Sequence, residues 1–148
     1  MDKNLIIQRL PYQAPFLFVD ALEHVDETGA KGNFTFKKEL DFYKGHFKTN
    51  PVTPGVILTE CCAQIGLVCL GIYLLNGEQK VNNPQIGLSS SQMEFYLPVF
   101  PGEMVTVLSK KIYFRFHKLK CEVRMYNIKG ELVCKGVLSG MLKAEEYG

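Results

Sequence analysis

Along Leu119, Cys121, Val123 and Met125 the apolar residues alternate with Lys120, Glu122 and Arg124. A period of two predicts a strand with one buried face and one wet face. The same reading gives strands over residues 85–97, 103–116, 119–126 and 131–142, with Pro98 and Pro101-Gly102 as breaks and Asn127-Ile128-Lys129-Gly130 as a hairpin turn. Near the start, Phe16 to His24 is β-prone, a turn follows at Glu27-Thr28-Gly29, and Ala30 to Lys37 places Phe34 and Phe36 on one face. These read as two paired strands. Ahead of them, Leu5, Ile6 and Leu10 recur at near-helical spacing from Asp2 until Pro11 ends the run, predicting a short helix.

The centre of the chain behaves differently. Residues 40–54 have no period and are rich in Gly, Pro, Lys and Asn, so they read as a loop. Thr53 is the expected N-cap and Pro54 the first residue of a helix running to about Leu75, stopped near Asn76-Gly77. That helix is apolar all round except for Thr59, Glu60 and Gln64. A membrane span and a helix buried in a soluble core are the two readings of such a segment. Glu60 is costly inside a bilayer, and the flanking strands need a partner for their apolar faces, so the buried helix is expected. The order of one short helix, two strands, a long buried helix and about four strands predicts an α+β fold, an antiparallel sheet wrapped around one helix.

With 148 residues and 47% hydrophobic content, the chain suits one domain over 1–148. Such a chain buries about two thirds of the surface exposed when unfolded. Its 17 basic and 15 acidic residues leave no footprint of a dedicated nucleic-acid binder. The five cysteines include no C-x-x-C pair and read as small buried hydrophobes in a reducing compartment, with no zinc site expected. The N-terminus has only a short apolar patch, and a cytoplasmic location is expected.

Three features point to chemistry. Glu60 and Gln64, four apart, share one face of the dry helix. A buried carboxyl is paired, hydrogen-bonded or protonated, so Glu60 reads either as a general acid or as making a structural hydrogen bond or an ion pair across a subunit contact. His46, in Gly45-His46-Phe47, lies in the loop leading to the helix, where an imidazole can act as a base or simply sit exposed. Pro54-Gly55-Val56 sets free N–H groups at the helix start. Gly55 there is either an oxyanion-binding donor or an ordinary first turn.

Residues 45–64, GHFKTNPVTPGVILTECCAQ, resemble the core motif G-H-F-P-x-x-P-x-x-P-G-V-x-x-x-E-x-x-A-Q of the β-hydroxyacyl-(acyl carrier protein) dehydratase family, which has the hot-dog fold. Residues 10–20, LPYQAPFLFVD, are similar to its L-P-H-R-x-P-F-L-L-V-D, and residues 93–103, MEFYLPVFPGE, to its segment ending R-P-V-x-P-G-D. The resemblance implies dehydration of a 3-hydroxyacyl thioester to the trans-2-enoyl thioester, as in fatty acid or related acyl and polyene biosynthesis. It also implies a homodimer, or a higher oligomer built from it, whose sites combine the His of one subunit with the acid of the other.

Carried over, His46 is the base, Glu60 the acid and the Gly55 N–H the holder of the thioester oxygen. Gln64 would orient Glu60, with Phe47 and Val56 as further substrate-binding residues. The substrate would arrive on the phosphopantetheine of an acidic acyl carrier protein, met by Lys44 and Lys48; Lys37 and Lys38 cluster nearby, and any of these also reads as a solvated charged face. Phe95, Tyr96 and Ile57 are candidates for lining an acyl tunnel. No cofactor is implied, since proton transfers and a positioned carbonyl suffice. Glu rather than Asp at the acid position favours plain dehydration without isomerisation. The departures are Tyr12 and Gln13 for the family's His-Arg, and Lys48 for Pro. Two rivals stand beside this reading: a hot-dog thioesterase in which Glu60 activates water, and a silent module that binds a carrier or a partner subunit.

Overall fold

The computed structural model describes residues 1–75 and 82–145. Helix α1 spans Lys3–Gln8, its first turn capped by the Asp2 carboxylate, which accepts from the Asn4 N–H at 2.9 Å. Strands β1 (Ala21–Val25), β2 (Ala30–Thr35), β3 (Asn82–Phe95), β4 (Met104–Arg115), β5 (Lys118–Asn127) and β6 (Leu132–Glu145) form one antiparallel sheet in the order β1-β2-β4-β5-β6-β3. The long helix α2, Gly55–Leu74, packs against β2, β4, β5 and β6 of this sheet. This is the α+β hot-dog arrangement that the sequence implied.

Helix α2 is long and apolar enough to cross a membrane, with mean hydropathy 1.9, and 72% of it is buried inside the fold. It is therefore the core helix of the sheet. Its middle, Gln64–Val68, widens into a π turn, a feature no sequence pattern announced. There Gly66 lies so close to β4 and β5 that a Cβ would come within 2.9 Å of the side chains of Ser109 and Val123. The inward residues of β5, Leu119, Cys121, Val123 and Met125, are fully buried beneath it, as their alternation required. All five cysteines are buried free thiols.

Several boundaries differ from the expectation. Residues 16–19 are not part of β1, which begins at Ala21, because the backbone of Phe16 and Phe18 bonds to the Gln64 amide instead of a neighbouring strand. Thr53 does not cap α2. Its buried hydroxyl bonds the Tyr43 hydroxyl, and Pro54 occupies the cap without a side-chain bond. Within the loop, Asp41–Lys44 forms a 3-10 turn. The expected helix stop at Asn76-Gly77 lies outside the described residues.

The β1–β2 turn is held by the Asp26 carboxylate, which accepts from the backbone N–H of Thr28 (2.7 Å) and Gly29 (3.2 Å). Phe116 and His117 alone connect β4 to β5, both in the left-handed region (φ 51° and 59°), the geometry of a tight primed turn. At the other side of the sheet β3 is an edge strand, and Gln85 and Gly87–Gln92 are exposed along it. An uncovered 14-residue edge carrying Leu88 at 45% exposure is a ready template for strand pairing.

Candidate active site

The loop before α2 closes on His46. Its backbone carbonyl accepts from the Val52 N–H (2.9 Å), its own N–H donates to the Phe42 carbonyl (3.1 Å), and the Thr53 N–H anchors the loop's exit on the Val99 carbonyl (2.9 Å). The side chain repeats the tie. Nδ1–H donates to the Val52 carbonyl oxygen at 2.9 Å, which orients the ring and leaves Nε2 without a hydrogen-bond partner among the described residues. The Phe47 ring stacks on the imidazole (centroids 3.9 Å apart, planes at 27°) and is itself 56% exposed. A half-buried, oriented imidazole with an open nitrogen is equipped to take a proton.

Gln64 organises the second group. It is fully buried, and its three hydrogen bonds determine the orientation of its amide. Oε1 accepts from the Phe18 N–H (2.8 Å), while Nε2 donates to the Phe16 carbonyl (3.1 Å) and to Oε2 of Glu60 (2.9 Å). Glu60, one turn earlier, is half-buried. Burial pushes its carboxyl above the ordinary range, opposed by the Gln64 hydrogen bond, which favours the charged form. No ion pair reaches Glu60 among the described residues. The Gln64 bond is the hydrogen bond that the structural reading of this carboxyl expected, and a raised proton affinity suits a general acid.

Gly55 begins α2, where first-turn N–H groups lack helical partners. The Phe95 ring closes over it: a Cβ on Gly55 would lie 3.3 Å from Phe95 Cζ. Val56 beside it is 76% exposed, and Phe95 and Tyr96 are each about half exposed, while Ile57 packs against the core. The segments carrying the site thus present apolar surface to solvent.

Within one protomer His46 and Glu60 share no hydrogen bond among the described residues. Gln64 and Glu60 are brought together as the spacing indicated, and His46 stands apart on its loop. Lys48 is exposed, and Lys44 forms an exposed ion pair with Asp41 at 3.2 Å, a contact worth about 0–1 kcal/mol.

Two features escaped the sequence reading. Tyr12 is half-buried and packed against the core, and its hydroxyl is pushed up to about 12, first by burial and then by the charge of Glu60. The β4–β5 hairpin gathers Lys110, Lys111, Arg115, Lys118 and Lys120 with no acidic residue between Glu103 and Glu122. Arg115 and Lys120 sit over the Tyr113 ring at 4.6 and 6.0 Å, and Phe116 at the tip is 92% exposed. The run of bases between residues 110 and 120 was a visible signal for the second. Nothing in the sequence indicated the burial of the Tyr12 ring.

A FabA-like domain model matches residues 10–138. The 3-hydroxyacyl-[acyl-carrier-protein] dehydratase FabZ of Caldicellulosiruptor saccharolyticus is 32% identical over 143 residues, covering 96% of this chain and 99% of the relative. Among solved structures, the dehydratase heterocomplex ApeI:P from Xenorhabdus doucetiae superposes with TM-score 0.79 at 12% identity, covering 95% of this chain and 91% of that one. A hypothetical thioesterase with coenzyme A from Streptococcus pneumoniae follows at TM-score 0.62 and 11% identity, over 86% and 88% of the two chains. At those identities the two structures attest the fold alone.

Proposed function

The chain belongs to the FabA-like domain family, and from that premise we propose that it removes water from a 3-hydroxyacyl thioester carried on acyl carrier protein, using His46 as base and Glu60 as acid. One domain over residues 1–148, acting in the cytoplasm in fatty acid or related acyl-chain synthesis, is part of this reading.

The steps follow from the groups present. With the thioester carbonyl against the Gly55 N–H, developing enolate charge is stabilised by an orphan donor and the positive end of α2. The free Nε2 of His46 takes the proton from C2, and protonated Glu60 gives its proton to the C3 hydroxyl, which departs as water. The C2 proton on imidazole and the deficit on the carboxylate are then exchanged with solvent, and the reverse sequence hydrates the enoyl thioester. Phe47 and Val56 would flank the bound thioester. The observation that carries this reading over a thioesterase is the Nδ1–Val52 hydrogen bond, because it prepares a base that water attack directed by Glu60 alone would not need.

Since His46 and Glu60 do not bond within a protomer, the reading calls for a second copy, with the sheets joined along the open β3 edge so that each site draws one residue from each subunit. Lys44 and Lys48 flank the loop as contacts for an acidic carrier, and the basic β4–β5 hairpin offers the denser surface for the same charge.

The test follows a trans-2-enoyl thioester, on carrier protein and on coenzyme A, for loss of enoyl absorbance and release of thiol. Hydration without thiol release, reduced about 10²- to 10⁴-fold in both His46→Ala and Glu60→Gln, is the expected result. Thiol release that survives His46→Ala would replace this reading with a thioesterase. Absence of both reactions would leave a binding module.

A further inference from the structure

Between Tyr43 and Thr53 the chain leaves the core and returns to it. Residues 44, 45 and 47–51 are exposed, and His46 and Val52 are half-buried. The residues at the two ends are buried, Tyr43 at 5% exposure and Thr53 at 4%. Their hydroxyl oxygens lie 2.5 Å apart and share a hydrogen bond across the base of the loop. A loop with so little buried surface is held in shape by the bonds at its ends and across it.

What this bond secures is one peptide unit. The amide between Val52 and Thr53 donates through the Thr53 N–H to the Val99 carbonyl (2.9 Å) and accepts through the Val52 carbonyl from Nδ1–H of His46 (2.9 Å). Val99 is fully buried, so this amide ties the core at one end to the imidazole at the other. Hydrogen bonds arranged in such a chain polarise and strengthen one another. The Val99 bond alone leaves the amide plane free to rock about it, whereas the Tyr43 hydroxyl holds Thr53 by its side chain, off that axis. Tyr43 is fixed in turn from the other arm of the loop. Its ring packs on Phe42 with centroids 4.5 Å apart, and the Phe42 carbonyl accepts from the His46 N–H at 3.1 Å.

We propose that the Tyr43–Thr53 hydroxyl pair is a positioning clasp for His46, fixing the Val52–Thr53 amide and through it the direction in which Nε2 faces. Its consequence for turnover rests on His46 being the base of the proposed dehydration, whereas its effect on the orientation of the ring does not. Both residues are buried and act through His46 alone.

The experiment compares the native chain with Tyr43→Phe, Thr53→Val, Thr53→Ser and the double variant Tyr43→Phe/Thr53→Val. Each is melted, assayed for hydration of a trans-2-enoyl thioester, and examined by ¹⁵N NMR of the His46 ring, whose resonances are identified by their loss in His46→Ala. Either single apolar variant leaves one buried hydroxyl unpaired; the double variant leaves none and keeps the packing, so its Tm should return toward the native value. We expect kcat to fall about tenfold or more in both single apolar variants and in the double variant, with KM within about twofold of native, because a misplaced base costs rate rather than binding. In the same variants the ¹⁵N shifts of the neutral ring should move from the Nδ1–H form toward a mixture of tautomers, and Thr53→Ser, which keeps the hydroxyl, should return both kcat and the shifts toward native. Recovery of kcat together with Tm in the double variant, or ¹⁵N shifts unmoved throughout, overturns the proposal. Altered shifts in a protein that hydrates no enoyl thioester would sustain it while refuting the dehydratase reading.

Discussion

Replacing Gln64 by Leu tests the structural keystone of the site. The side chains are close in volume, so little cavity is created, and the cost falls on the groups that lose a partner. The Phe18 N–H, fully buried, loses its only side-chain acceptor at 2.8 Å, and the partly buried Phe16 carbonyl loses a donor at 3.1 Å. An orphaned buried polar group costs about 1–3 kcal/mol, the upper part applying to Phe18 and the lower to Phe16, which water can reach. A loss of about 2–4 kcal/mol follows, which for a chain of this length is roughly 5–15 °C in Tm. The same substitution releases Oε2 of Glu60, so the carboxyl's proton affinity rises further and the alkaline limb of the hydration profile moves up. With the carboxyl no longer held, kcat should drop about tenfold or more even where Glu60 is protonated. Thermal melts followed by circular dichroism, with hydration rates from pH 5 to 9, measure both effects. A Gln64→Leu protein within about 0.5 kcal/mol of native, with an unmoved pH profile, would refute the assignment of Gln64 as the link between the residue 16–18 segment and the acid.

Other expectations are as direct. Because burial holds Glu60 above its ordinary 4.5, the folded protein binds that proton more tightly than the unfolded chain; its stabilising effect is complete below pH 4.5 and is lost as pH rises through the folded value. Denaturant melts should therefore show Glu60→Gln gaining on the native protein between pH 4 and pH 8, with no further gain once the carboxyl is fully ionised. Gly55→Ala brings a Cβ 3.3 Å from Phe95, whose ring is half exposed and free to yield; folding stability should change by less than about 1 kcal/mol, while kcat/KM falls at least about tenfold as the first-turn N–H is screened. Leu88→Asp puts a charge on the open β3 edge, and sedimentation should find monomers in place of dimers, with hydration lost in proportion, if the sheets join there.

What was legible in the sequence was what local period writes. The alternation of Leu119 to Met125 specified β5 and its buried face, and the four-residue spacing of Glu60 and Gln64 specified a shared polar stripe on α2. What was not legible depends on contacts between residues distant in sequence. Phe16 to Val19 reads as strand by composition, yet its backbone is satisfied by an amide 46 to 48 residues away, so the strand starts only at Ala21. Thr53 has the chemistry of a helix cap and instead bonds Tyr43, a partner no local pattern identifies. The loop position of His46 was readable, but the Val52 bond that frees Nε2 is a property of the folded loop.

The same logic bears on the two readings of Glu60 that the sequence left open. Helix α2 has three polar side chains along its apolar length before its last turns, and two are committed inside the protomer. Thr59 donates to the Gly55 carbonyl at 3.1 Å, and Gln64 is saturated by three bonds. Glu60 alone keeps an oxygen without a donor among the described residues, in surroundings that penalise its charge. That oxygen is not buried, so the protomer carries no orphaned polar atom there and water can reach it. An oxygen open to solvent on an otherwise apolar helix is free to meet a group that arrives later, which is the place the proposed dehydration gives to the hydroxyl of a 3-hydroxyacyl thioester.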